Sequence, residues 1–246
     1  MISDFFLALL LSLIQGLTEF LPVSSSAHLL FPFLLFGAKD FGVAFDISVH
    51  AGTLTAVIYF FKKEIQGLLQ AWNPLTASRS KENFSLGLNL LIATLPIVVV
   101  GLVASDVIES RSSNIDSIAW ANLVFAGLLY AAFKSSNQSK SLSELTLFAA
   151  LIIGCFQALA IFPGASRSGM AITGALIIGL NLKDTSKFAF LLSIPTILGA
   201  LVLMLAKGAY SIALSDMLIM LTGFFGSAFI AFITIKGFMQ FVEKIG

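Results

Sequence analysis

Two short polar knots, each built around a proline, interrupt an otherwise apolar chain, and they constrain its fold more than any other feature. The first runs Glu19-Phe20-Leu21-Pro22-Val23-Ser24-Ser25-Ser26-Ala27-His28 and the second Phe162-Pro163-Gly164-Ala165-Ser166-Arg167-Ser168-Gly169. Apolar stretches cover residues 5–16, 29–37, 43–61, 86–104, 118–133, 145–162, 171–180, 188–206 and 217–235. A helix needs about 20 residues to cross about 30 Å of hydrocarbon. The runs 43–61, 86–104, 188–206 and 217–235 are long enough, and 118–133 reaches with its flanks. The runs 5–16, 29–37 and 171–180 are too short, and 145–162 ends against Pro163-Gly164. Hydrophobic residues are 58% of the 246 and charged ones only 11%, where soluble domains carry roughly a quarter. With a mean hydropathy of +0.98, a soluble enzyme, a disordered chain and a disulfide scaffold are all excluded. A net charge of +1 with no basic stripe excludes nucleic acid. Unbroken runs rather than period-two alternation exclude an outer-membrane barrel. The fold class expected is an all-α polytopic membrane protein of one domain, with about five full transmembrane helices.

The short runs come in pairs, one on each side of a knot. Unpaired backbone groups are not tolerated in lipid, so a broken helix survives at membrane depth only when buried in protein or lining a wet cavity. Two such knots predict two re-entrant hairpins facing one polar pocket. They also resemble each other. Gln15-x-Leu17-x-x-Phe20-Leu21-Pro22-x-x-Ser25 parallels Gln157-x-Leu159-x-x-Phe162-Pro163-x-x-Ser166 with one residue of slippage, which suggests a duplication, with repeats of about 1–133 and 145–246. Lys62, Lys63, Arg79 and Lys81, then Lys134 and Lys140, mark two cytoplasmic loops. The connection 105–117, with Arg111 against Asp106, Glu109 and Asp116, falls outside. Threaded this way, the hairpins enter from opposite faces and their tips meet near the midplane, an inverted repeat of the kind that marks a binding site.

Charge inside a bilayer is costly, so Glu19 and Arg167 demand a reason. They could simply pair and lock the hairpins. Arg167, however, sits between Ser166 and Ser168 after Pro163-Gly164. Successive backbone N–H groups in a glycine turn cradle an anion, and a guanidinium adds a bidentate fork suited to phosphate. On the first knot, Gln15 and Glu19 share a helix face at i, i+4 spacing and offer hard oxygen ligands for Mg²⁺ or Ca²⁺. Ser24, Ser25 and Ser26 supply hydroxyls, and His28 stands three residues beyond Ser25 as base or nucleophile. The plain alternatives are a serine N-cap and a core histidine. Asp46 and His50, also i, i+4, read as the start of a span, Lys183, Asp184 and Lys187 as an interfacial turn, and Cys155 as inert packing.

The first knot resembles the signature (E/Q)xxxE followed by FLPVSSxxH, and the second PGxSRS. In this order they resemble the undecaprenyl-pyrophosphate phosphatase family, also called the bacitracin resistance proteins, over nearly the whole chain. The resemblance implies an inner-membrane hydrolase, open mainly to the outer face. It would cleave a C55 polyprenyl diphosphate to the monophosphate and phosphate, regenerating the lipid carrier for peptidoglycan and opposing bacitracin. It implies catalytic roles for Glu19, Ser25, His28 and Arg167. Substrate contacts would come from Gln15, Ser24, Ser26, Gly164, Ser166, Ser168 and Thr173, and a divalent cation would sit on Glu19 and Gln15. Its partners would be the lipid substrate, membrane lipids and a second copy in a homodimer. The sequence departs from the family twice. Ala171 stands where the pattern PGxSRSxxT has threonine, with Thr173 two residues on, and no further apolar segment follows residue 245. The rival expectation is a transporter or flippase that carries a polyprenyl phosphate or other anion through the same site.

Overall fold

The structure is a computed structural model and describes residues 2–75, 80–103, 115–207 and 214–245. Arg79, Asp106, Glu109 and Arg111, used above to orient the loops, lie outside the described residues. Among the described residues there are helices and no strands. Their order is α1 (Ile2–Thr18), α2 (Ser25–Phe36), α3 (Gly42–Phe60), α4 (Lys62–Trp72), α5 (Lys81–Val103), α6 (Ile115–Ser135), α7 (Leu147–Ala158), α8 (Arg167–Ile178), α9 (Leu182–Lys207) and α10 (Leu214–Ile245). Five of them, α3, α5, α6, α9 and α10, are long and apolar enough to span a membrane. The chain is an all-α, multi-pass membrane protein.

The two knots break helices for local reasons. After α1, Pro22 cannot donate a backbone hydrogen bond, and the chain restarts where Ser24 accepts from the Ala27 N–H at 3.4 Å as the N-cap of α2. After α7, the Ala165 N–H donates to the Phe162 carbonyl at 2.9 Å across Pro163-Gly164, with Gly164 at φ +96°. Proline first and a left-handed glycine second is the type II turn. Ser166 then caps α8 by accepting from the Gly169 N–H at 3.1 Å.

Both hairpins return to the side they entered. Lys39, just past α2, pairs with Asp4 in the first turn of α1 at 3.6 Å. On the other hairpin, the Lys140 N–H donates to the Gly179 carbonyl at 3.0 Å and the Asn181 N–H to the Lys140 carbonyl at 2.9 Å. These bonds tie the exit of α8 to the segment that leads into α7.

Lipid gives apolar side chains little reason to prefer each other, so membrane helices associate by close packing and interhelical hydrogen bonds. The α3–α10 contact uses both. Ser48 donates to the Met220 carbonyl at 2.5 Å and Ser227 to the Val49 carbonyl at 2.8 Å. A Cβ on Gly52 would fall 2.2 Å from Ser227 Oγ, so the two backbones touch there. Gly154 does the same between α7 and α5, where a Cβ would meet the Ala93 carbonyl at 2.4 Å. The core joins residues from α3, α5, α7, α8, α9 and α10 with Phe20 of the first knot.

Three details differ from the sequence reading. The basic stretch after residue 61 contains an amphipathic helix, α4, whose Trp72 stacks on Phe84 at 5.0 Å; such a helix suits the membrane interface. The turn expected at Lys183, Asp184 and Lys187 is instead the start of α9, capped by Asn181 Oδ1 on the Asp184 N–H at 2.9 Å. Cys155 is exposed rather than packed away.

Candidate active site

The knots meet. Ser168 donates to the Leu21 carbonyl at 2.7 Å and Ser166 reaches the same oxygen at 3.5 Å. Arg167, the first residue of α8, forms an ion pair through Nη2 with Glu19 Oε1. Glu19 ends α1, where the negative end of the helix dipole makes a carboxylate unwelcome. Its side chain is only 2% exposed, so the guanidinium is what makes its charge tolerable. Phe20, wholly buried, packs edge-on against Phe190 of α9 at 5.5 Å and fixes the backbone beside Glu19.

The other carboxylate oxygen gathers the remaining polar groups. Ser25 Oγ donates to Glu19 Oε2 at 2.8 Å, and Gln15 Nε2 donates to the same atom at 2.9 Å. His50 Nε2 lies 3.8 Å away. A hydroxyl therefore rests on a buried carboxylate whose opposite oxygen is clamped by a guanidinium. That is the relation of nucleophile, base and base-orienting group found in covalent catalysis.

Of the residues singled out in the sequence, Gln15, Glu19, Ser25, Ser166, Arg167 and Ser168 are brought together at the junction. Ser24 and Ser26 lie beside it, with their hydroxyls 3.2 Å apart. Gly164 shapes the turn, and a Cβ there would meet the Ile118 carbonyl of α6 at 2.6 Å. Thr173 points back into its own helix, donating to the Gly169 carbonyl at 2.7 Å, and it does not replace the hydroxyl lost at Ala171, which is itself buried. His28 is held within its own helix, with Nδ1 2.6 Å from the Ser24 carbonyl and the ring against Phe31 at 5.4 Å, and makes no hydrogen bond to Ser25 or Glu19. The imidazole that reaches Glu19 is His50. The sequence signal for it was the i, i+4 pair with Asp46, read above as a helix start. The pair is real but runs through the backbone, with His50 Nδ1 2.7 Å from the Asp46 carbonyl.

Two cavities flank the turn at Phe162-Pro163-Gly164. One of about 150 Å³ lies between α6 and the knots, bounded by Pro22, Asn122, Phe125, Gly164 and Ser166. The other, an apolar groove of about 630 Å³ between α5 and α7, is lined by Leu95, Val99, Leu151, Cys155 and Phe162. The stacked rings of Phe125 and Phe162, 6.4 Å apart, stand between them.

The donor set can also be tested for a metal. Gln15 Oε1 is buried with no hydrogen-bond partner, an arrangement that costs about 1–3 kcal/mol if nothing ever satisfies it. Glu19 stands one turn away. Among the described residues no group of three or more His, Cys, Asp or Glu is assembled for a metal. Gln15 turns Nε2 rather than Oε1 toward Glu19, so the two oxygens would flank one cation only with that amide turned over and with phosphate oxygens completing the shell.

The family model described as bacitracin resistance protein BacA matches residues 8–246. The chain is 42% identical to the undecaprenyl-diphosphatase of Saccharophagus degradans over 99% of this chain and 91% of that one. It is likewise 42% identical to the undecaprenyl-diphosphatases of Teredinibacter turnerae and Alcanivorax borkumensis, over 99% of this chain and 92% of each. With its family model matched almost end to end, the chain belongs to the bacitracin resistance protein BacA family.

Proposed function

We propose that the protein hydrolyses undecaprenyl diphosphate to undecaprenyl phosphate and inorganic phosphate, recycling the lipid carrier for cell-wall synthesis and conferring bacitracin resistance. The observation that carries this reading is the three-way meeting at Glu19 of a hydroxyl, a carboxylate and a guanidinium. The names of the relatives support the substrate.

Ser25 Oγ attacks the terminal phosphorus and its proton passes to Glu19 Oε2. Arg167, Ser166 and the N–H groups of the first turn of α8 bind the phosphate oxygens as charge develops on them. Undecaprenyl phosphate leaves, and water then frees the phosphate from Ser25. Glu19 and Gln15 would hold a divalent cation, Mg²⁺ or Ca²⁺, which when bound offsets the charge of the diphosphate. The polyprenyl tail lies along the apolar groove that ends at Phe162, beside the turn that opens the cradle. The protein sits in the inner membrane with this site open to the outer face. Its halves, about 1–133 and 145–246, act as inverted repeats; the basic connections at Lys62, Lys63, Lys134 and Lys140 support that orientation. Anion transport would use a similar cradle but needs no hydroxyl on a carboxylate, and no observation favours it.

The test is phosphate release by the purified protein in detergent with farnesyl diphosphate and Mg²⁺. Glu19→Ala and Arg167→Ala should each lower it by at least about 10²-fold, as loss of a transition-state donor does. Release that survives both substitutions overturns the reading, and anion flux in vesicles without release would replace it with transport.

A further inference from the structure

A hydrolase that passes phosphate through Ser25 needs a second group to hold the water that removes it, and we infer that His50 of α3 is that group. The inference rests on the reading of Ser25 as nucleophile. It starts from the one imidazole placed at Glu19, which lies outside both sequence knots.

Three features position His50. The Asp46 carbonyl lies 2.7 Å from Nδ1. A carbonyl can only accept, so Nδ1 carries a proton, and whenever the ring holds that proton alone Nε2 presents a lone pair. Nε2 is 3.8 Å from Glu19 Oε2, too long for a direct hydrogen bond and a separation at which a bridging water is to be sought. The His50 side chain is 27% exposed while that of Glu19 is 2% exposed, so His50 is the more open of the two groups. The helix that carries it cannot easily rotate. Ser48 and Val49, just before it, bond to α10 through Met220 and Ser227, and Gly52, just after it, lies against the Phe224 carbonyl. Glu19 and, through it, Arg167 are charged groups at this point.

In the second half-reaction a water donates one O–H to His50 Nε2 and the other to Glu19. Its oxygen bonds to the phosphorus of phosphorylated Ser25, and the P–Oγ bond breaks with the electron pair left on Oγ. Glu19 returns to Oγ the proton it took from Ser25 in the first half-reaction, accepts one from the water, and releases that one to solvent, so it is again a carboxylate for the next turnover. The hydrogen held by His50 leaves with the phosphate.

The experiment uses the full chain in detergent with farnesyl diphosphate labelled in its terminal phosphate. His50→Ala should lower kcat by about 10²-fold with KM little changed. Acid-quenched protein should then carry label on Ser25 at close to one per chain, where the unaltered protein carries almost none. His50→Gln keeps a hydrogen-bond acceptor in reach and should recover much of the rate and clear the label. Equal slowing in both variants without label would overturn the role of His50, as would unchanged turnover in His50→Ala. Ser25→Ala separates the two readings. If it keeps full turnover, Ser25 is not the nucleophile and both readings fall; if it is inactive while His50→Ala never accumulates label, only the His50 inference falls.

Discussion

The two hairpins carry nearly the same sequence pattern and are held in opposite ways. In the second, every residue of α8 from Ser168 to Leu176 is buried, under α6, α7 and α9. In the first, Ala27 is the one buried residue of α2, and the helix rests mainly on α1. Composition explains the contrast. α8 is rich in Gly, Ala and Ser, which let neighbouring backbones close in; a Cβ on Gly174 would sit 2.9 Å from Phe156 Cβ. α2 is mostly Leu and Phe, and Phe33, Leu35 and Phe36 are exposed, as suits a lipid-facing surface. The proposed anion cradle is therefore built on packed protein, and Ser25, the proposed nucleophile, hangs from the more loosely held partner. What joins them is a handful of polar contacts at Leu21, Glu19, Ser168 and Arg167.

The contrast can be broken at several points. The largest effect should come from Gly164→Ala. It forces an L side chain to φ +96° and onto the Ile118 carbonyl, so the turn must open; phosphate release should fall by at least about 10²-fold, as when an oxyanion donor is misplaced. Next, added bulk should separate the hairpins in thermal unfolding. Gly174→Val should destabilise by about 1–3 kcal/mol through overpacking, while Phe36→Leu, at 82% exposure, should stay within about 0.5 kcal/mol. The two N-caps should follow the same order. Losing a cap costs about 1 kcal/mol, and Ser166→Ala should cost more than Ser24→Ala, because Ser166 makes the shorter cap bond, 3.1 against 3.4 Å.

The smallest effect lies outside the membrane. Glu144 accepts from the Ser141 N–H at 2.7 Å in the turn before α7, and this bond holds its carboxyl below its ordinary value near 4.5. A carboxylate with a lowered folded pKa stabilises at all pH above its unfolded value and loses that contribution as pH falls through the folded one. Melting temperature should therefore drop slightly faster below about pH 4.5 in the unaltered protein than in Glu144→Gln.

Much of this was legible in the sequence, because it depended on length and on breakers. Runs too short to span, each beside a proline, gave the two hairpins, and the motif order gave the meeting of Glu19 with Arg167. The side of the helix that each residue faces was not legible. His28 stands close to Ser25 along the chain, yet its contacts are with Ser24 and Phe31 of its own segment. His50 is distant in sequence, yet α10 fixes α3 at the rotation that points it to Glu19. Thr173 offers a hydroxyl by its position in the motif, yet on the helix that hydroxyl donates to the Gly169 carbonyl. Burial contrast between α2 and α8 is likewise a property of their neighbours, which no local pattern encodes.

The convergence of the two knots on one reacting group is tested most directly by a double-mutant cycle on kcat/KM with Glu19→Gln, Arg167→Lys and both together. Residues that act as one unit are non-additive. The double variant should be little worse than the weaker single one, with a coupling above about 1.4 kcal/mol, or tenfold. Losses that simply multiply would mean that Glu19 and Arg167 serve separate steps, and the shared centre would be contradicted.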